Sequence, residues 1–173
     1  MEEISNAENL LETQGNGDQY LTFLLNGEEY GLDILRVQEI RGWHATTSIP
    51  NAPSYVKGVI NLRGSIVPII DLRLRFGMTS IEYTPITVVI VVRVCDGQKE
   101  RIVGIVVDAV SEVYNFTPDE VSPTPELGGT IDVSFIRGIA SADEKMIMLL
   151  EIDQLLSIGE MDRSISQSGG KSE

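Results

Sequence analysis

The sequence predicts an all-β protein in which two small sheets of short strands share one core, with little helix. Three observations carry this. Short apolar runs rich in Val, Ile, Leu, Tyr and Phe recur through the middle of the chain, about nine or ten of them. Turn dipeptides such as Asn26-Gly27 and Asp96-Gly97 separate neighbouring runs. Several runs, Ile102-Val103-Gly104-Ile105-Val106-Val107 among them, are apolar on successive residues, so both of their faces are buried and one open sheet cannot hold them.

Taken in order, Tyr20 to Leu25 is a strand that turns at Asn26-Gly27 into a partner over Glu29 to Asp33. Ile34, Val37 and Ile40 recur every third residue, which suits a helical turn or a turn that runs into a strand. A polar stretch with Pro50 and Pro53 is a loop. Tyr55 to Leu62 and Ser65 to Leu72 form two apolar arms around Arg63-Gly64. Pro68 lacks a ladder donor, which places its strand at an edge or a bulge. Leu72 to Phe76 is a short helix stopped at Gly77. Ile86 to Cys95 and Arg101 to Asp108 make a second hairpin; Val110 to Phe116, Phe135 to Ile139 and Met146 to Ile152 supply further strands, and a helical turn through Gln154-Leu155-Leu156 closes the domain.

The 173 residues suffice for one domain with tails: an acidic flexible tail over 1–18, the folded domain over 19–157, and a Ser/Gly-rich flexible tail over 158–173. Leu10 and Leu11 allow a short helix in the first tail. Thirteen basic against 26 acidic residues give a formal charge of −13, which repels phosphate backbones and anionic lipid, so neither nucleic acid nor membrane surface is an expected partner. Residues 1–19 contribute Glu2, Glu3, Glu8, Glu12 and Asp18 with no basic residue. The longest aliphatic run, Val88 to Val92, is far short of the ~20 residues that span a bilayer. The N-terminus carries no basic and apolar secretory pattern, so an intracellular protein is expected.

Catalytic chemistry finds little foothold. Cys95 is the sole cysteine and His44 the sole histidine, so intrachain disulfides and His/Cys metal clusters are excluded, and a Ser–His–Asp triad would rest on one residue in a polar loop beside Trp43. No phosphate-binding glycine motif is present. Asp33, Asp71 and Asp108 each end an apolar strand, where carboxylates bond turn amides and mark the exit from the core. No catalytic site, cofactor or metal is expected. The pattern is that of an interaction module.

The most unusual stretch runs from Gly58 to Leu72, Gly-Val-Ile-Asn-Leu-Arg-Gly-Ser-Ile-Val-Pro-Ile-Ile-Asp-Leu, and sets a lone guanidinium between two apolar strands. Such an arginine offers five donors in a fixed fork, suited to a carboxylate or carbonyls on a partner; solvation of a hairpin tip is the plainer role. This stretch, with Glu28 to Gly42, Thr87 to Val91 and Val103 to Val110, resembles the CheW family of bacterial chemotaxis coupling proteins, in register from about 20 to 157.

The resemblance implies two intertwined five-stranded SH3-like barrel lobes. It implies a non-enzymatic adaptor that links the regulatory domain of the histidine kinase CheA to the cytoplasmic hairpin tip of methyl-accepting chemoreceptors, in the cytoplasm at the inner face of the membrane. Residues Val37, Glu39, Arg63 and Val88 match receptor-binding positions, and Thr47, Gly58 and Gly64 match kinase-binding positions. Weak self-association within receptor arrays is left open. The alternatives are a paralogous coupler of another receptor-like pathway and a small-ligand sensor domain.

Overall fold

A computed structural model describes residues 17–79, 82–124 and 133–157. The expected tails, with Leu10 and Leu11, lie outside these residues apart from Gly17 and Asp18. Eleven strands and two short helices follow in order: β1 (Asp18–Leu25), β2 (Glu28–Asp33), β3 (Val37–Gly42), β4 (Val56–Leu62), β5 (Ser65–Asp71), α1 (Leu72–Arg75), β6 (Val88–Asp96), β7 (Lys99–Val107), β8 (Ala109–Phe116), β9 (Val121–Ser122), β10 (Ile136–Ala142), β11 (Lys145–Leu150) and α2 (Ile152–Leu155). They form a six-stranded sheet, β8-β1-β2-β11-β10-β9, and a five-stranded sheet, β3-β6-β7-β5-β4. The chain starts in the first sheet, builds the whole of the second, and returns to finish the first, so the two lobes are intertwined. One parallel pairing in each sheet, β2 with β11 and β5 with β7, joins strands far apart in the chain.

The expected elements are present, with differences that have local causes. Ile34–Arg36 form a single 3-10 turn that leads directly into β3, the mixed form of the three-residue spacing. The strand beyond the expected number is β9, two residues long and too short to leave a periodicity. Pro68 does not lie on an edge strand: β5 sits between β4 and β7. Its opposite residue Val59 directs both its N–H and its C=O at Thr47, so the Val59–Pro68 pair needs no hydrogen bond, and pairing to β7 begins only at Ile69.

Alternation within the successively apolar strands explains how both sheets share a core. Ile90, Val92 and Val94 of β6 and Val103, Ile105 and Val107 of β7 meet Phe23, Leu25, Tyr30 and Leu32 from the first sheet in the central cluster. Val89, Val91 and Val106, the residues between them, face Leu62, Val67 and Ile69 in a second cluster inside the five-stranded sheet. A third cluster, Tyr20, Phe116, Ala140, Ile147 and Leu149, fills the six-stranded sheet.

The strand-end carboxylates act as joints. Asp33 accepts from the Leu35 amide, and Asp71 caps α1 through the Leu74 amide while accepting the Tyr83 hydroxyl at 2.6 Å. Asp108 is the single residue between β7 and β8, where the chain crosses from one sheet to the other. Its carboxylate accepts from Arg73 Nε at 2.9 Å and Nη2 at 2.7 Å, and from the Asn26 amide at 2.9 Å. Burial pushes the Asp108 carboxyl up, but the bonds from Arg73 and Asn26 outweigh it and hold the group below its usual range. A carboxylate lowered on folding stabilises the native state above its unfolded pKa, and that contribution disappears as the pH falls through the folded one. Asp108→Asn should therefore lower stability by about 2 kcal/mol at neutral pH, with the gap to wild type closing below about pH 4. Urea titrations of both proteins across pH 2.5–7 check this; a gap that stays constant with pH would remove the ionic role.

Candidate functional site

All seven residues singled out for partner binding lie on or beside the five-stranded sheet; five of them gather in two places, and Val37 and Val88 stand apart. The first is the Arg63–Gly64 turn. Its two central residues have φ values of 51° and 88°, the pattern of a type I′ turn whose twist matches the flanking strands. Asn61 Oδ1 accepts from the Gly64 amide at 2.9 Å and fixes the turn from within. The Arg63 side chain stands 77% exposed and reaches Glu39 on β3, Nη1 to Oε1 at 3.4 Å and Nη2 to Oε2 at 3.3 Å. Because β3 and the β4 strand that ends at this turn are the two edges of the sheet, the ion pair joins its open sides.

Glu39 and Arg63 are thus brought into direct contact. Val37 and Val88 are not: Val37 pairs with Val92 and Val88 with Gly42, at opposite ends of the β3–β6 ladder. Both valines are half-buried and pack against the central cluster, so ordinary core packing accounts for much of each. The apolar groups that stand out from this region are others: Ile40 beside Glu39, Ile66 two residues after Gly64, and Ile86 just before β6, each 46% or more exposed. The sequence reading passed over Ile66 and Ile86 because they sit within or at the start of apolar runs, and placed Ile40 with Ile34 and Val37 in a three-residue spacing; only the strand register, which turns Ile40 and Ile66 outward, reveals them.

The second place is where Thr47 crosses β4. Thr47 N donates to Val59 O at 3.0 Å and Val59 N to Thr47 O at 2.9 Å, and Thr46 Oγ1 donates to Lys57 O at 2.8 Å. The loop thereby satisfies the outer edge of β4. Gly58 makes the approach feasible: a β-carbon there would lie 2.2 Å from Thr47 O, and its φ is 137°. Gly64, at the other end of β4, has nothing within 4 Å of such a carbon. The kinase-matched residues are therefore divided: Thr47 and Gly58 touch, while Gly64 belongs to the Arg63 turn.

Around these places the side chains bond one another and the backbone. Trp43 packs on Tyr83 with ring centres 4.2 Å apart, and burial together with Asp71 pushes the Tyr83 hydroxyl well up. The cleft beneath Trp43, lined also by exposed His44, encloses ≈ 20 Å³, about the space of one water. Among the described residues no three His, Cys, Asp or Glu side chains gather as a metal site, and no helix is long and apolar enough to cross a membrane.

Comparison with known proteins places this geometry. A family model described as a CheW-like domain matches residues 19–160. The chemotaxis protein CheW of Klebsiella aerogenes is 48% identical over 145 residues, covering 84% of this chain and 85% of that one. A probable chemotaxis protein CheW of Rhizobium etli is 42% identical, covering 82% and 89%. The crystal structure of the scaffolding protein TtCheW from Thermoanaerobacter tengcongensis is similar with a TM-score of 0.73 at 36% identity, over 82% of this chain and 89% of that one.

The two glycines should separate on substitution. Gly58→Ala meets backbone and should cost at least about 3 kcal/mol or prevent folding, whereas Gly64→Ala carries only the left-handed backbone penalty of about 1 kcal/mol. Chemical-denaturation midpoints decide it, and equal losses would show that contact with Thr47 is not what Gly58 secures.

Proposed function

The chain belongs to the CheW family, a chemotaxis coupling adaptor, and we propose that it joins the regulatory domain of the kinase CheA to the cytoplasmic hairpin tip of chemoreceptors. One observation carries the receptor half of this reading: an exposed arginine on a rigid type I′ turn, with exposed isoleucines nearby on the same sheet. A receptor tip is a helical bundle, and laying a helix against such a surface takes apolar contact for affinity and a fixed charge for register. Arg63 and Glu39 supply the charge; Val37 and Val88 shape the sheet beneath, and Ile40, Ile66 and Ile86 add exposed apolar area. The Arg63–Glu39 pair is exposed and worth about 0–1 kcal/mol, so exchanging it for a partner's carboxylate costs little.

CheA is assigned to the Thr47–Gly58 face. That face is backbone-rich and held in place by the Thr47–Val59 bridge, which suits docking of a second barrel rather than of a helix. Gly64 acts there at a distance, through the β4–β5 hairpin, if at all. No step in this scheme is catalytic: a receptor signal reaches the kinase because both contact one body whose contacts differ between receptor states. The adaptor works in the cytoplasm and is recruited to the inner face of the membrane through its partners.

Arg63→Ala should keep the wild-type thermal transition and CheA binding while weakening binding to a receptor signalling fragment by about 1–3 kcal/mol, roughly 5–150-fold. Calorimetric titration with each partner measures both arms. A variant that binds the receptor fragment as tightly as wild type would remove Arg63 from the interface, and one that unfolds would leave it a purely structural residue.

A further inference from the structure

Charge is divided between the two sheets. Residues 34–107, which build the five-stranded sheet, carry nine Lys or Arg against five Asp or Glu, a net charge of +4. The described residues that build the six-stranded sheet and close the fold, 18–33, 108–124 and 133–157, carry two against twelve, a net charge of −10. Two of the nine, Arg36 and Arg73, pair across the lobes with Asp153 and Asp108; with both pairs set aside the lobes still stand at +2 and −8. An acidic protein thus presents one cationic lobe. A partner with an acidic surface is drawn to that lobe and turned away from the other.

The cation that such a partner meets next to Arg63 is Arg93. Residues directly opposite on a ladder share a face, and Glu39, the acid that Arg63 reaches, stands opposite Val91. The β6–β7 ladder runs through this region without a register shift, so Arg93, two residues further along β6, faces as Val89 and Val91 do. Its opposite residue, Ile102, packs against the cluster that holds those two valines. Arg93 is therefore a diagonal neighbour of Glu39 at about 7–8 Å, within the span of long side chains. It does not pair with that acid or, among the described residues, with any other. Its Nη2 donates instead to Leu35 O at 2.8 Å. This bond uses one of five N–H groups and holds the guanidinium past the end of the β3–β6 ladder, beside a leucine that is 71% exposed.

We infer that Arg93 is a further partner-binding residue, and that the partner presents two carboxylates, one to Arg63 and one to Arg93, with an aliphatic side chain over Leu35. The inference rests on the receptor reading above and names the chemistry of the receptor face. Residues three, four or seven apart on a helix line one side of it, so a helical tip offers such a triplet directly. One arginine fixes a helix at a point; two fix its direction along the sheet.

Titration of a receptor signalling fragment at low and high salt, about 50 and 300 mM, tests this. The proteins are wild type, Arg93→Gln, Arg93→Lys and, as a control for charge alone, Lys99→Gln at the tip of the β6–β7 hairpin. Arg93→Gln should weaken binding about 5–20-fold at low salt and less at high salt, while Lys99→Gln stays within about twofold of wild type. Arg93→Lys keeps the charge and a donor for Leu35 O, and should retain most of the affinity that Arg93→Gln loses. An Arg93→Gln protein that binds no more weakly than Lys99→Gln overturns the inference and leaves Arg63 in place. Equal losses in both Arg93 variants, with lowered melting temperatures, assign Arg93 to the fold alone and overturn it too. Wild type that fails to bind the fragment overturns the receptor reading and this inference together.

Discussion

The bonds at Asp108 set the geometry on which the two lobes depend. Three parts of the chain converge on one carboxylate: the β1–β2 turn through the Asn26 amide, helix α1 through Arg73, and the crossing from β7 to β8 that Asp108 itself occupies. A fourth bond, from the Asp108 amide to Leu24 O, ties the same crossing to β1. The crossing is one residue long, so an error of position there would shift the register of β8 against β1 and turn its buried residues outward. The shared core is what makes this joint worth holding. Each sheet presents one face to the central cluster, and neither could bury that face alone.

A body locked in this way can carry information between partners without chemistry. The described residues of the second sheet hold both candidate surfaces, one at the Arg63 turn and one at the Thr47–Gly58 crossing, linked by the seven residues of β4. Both ends of that strand are fixed by hydrogen bonds: the Gly64 amide to Asn61 at one, the two-way bridge between Thr47 and Val59 toward the other. If partners bind both surfaces as proposed, stiffness between them would let a change at one be felt at the other, since interfaces on a rigid body are displaced together.

Much of this was legible in the sequence because it is written locally. Asn26-Gly27 and Gly64 specify their turns through residues that tolerate positive φ, and the successively apolar residues of β6 and β7 foretell burial on both faces. What was not legible depends on partners distant in the chain. Pro68 suggested an edge or a bulge because its missing donor is visible; β5 is no edge, but the β4–β5 register shifts between Val56 and Gly58, opposite Ile70 and Ile69, and Thr47, which bonds Val59, lies 12 residues before it in an irregular loop. Val37 and Val88 match binding positions by sequence, yet only the three-dimensional packing shows how much of each belongs to the core. Ile66 reads as interior for the converse reason: an apolar run does not disclose which of its residues the pleat turns outward.

The arginines differ in how firmly the fold holds them. Arg73, Arg36, Arg137 and Arg63 each pair with an acid of the same chain, and their side-chain exposures rise from 12% through 26% and 34% to 77%. The ion pairs lengthen along the same series, from 2.7 and 2.8 Å to 3.2 and 3.3 Å. At the shielded end, breaking the pair strands a charge beside the core and costs several times thermal energy; at the exposed end, water and salt replace the partner almost without cost. Arg73 is therefore bound to its structural role, since no external carboxylate could compete with Asp108. Arg63 has the opposite character: it is oriented by Glu39 but not detained by it. Of these four arginines, Arg63 is the one whose internal pairing a partner's carboxylate would displace at least cost.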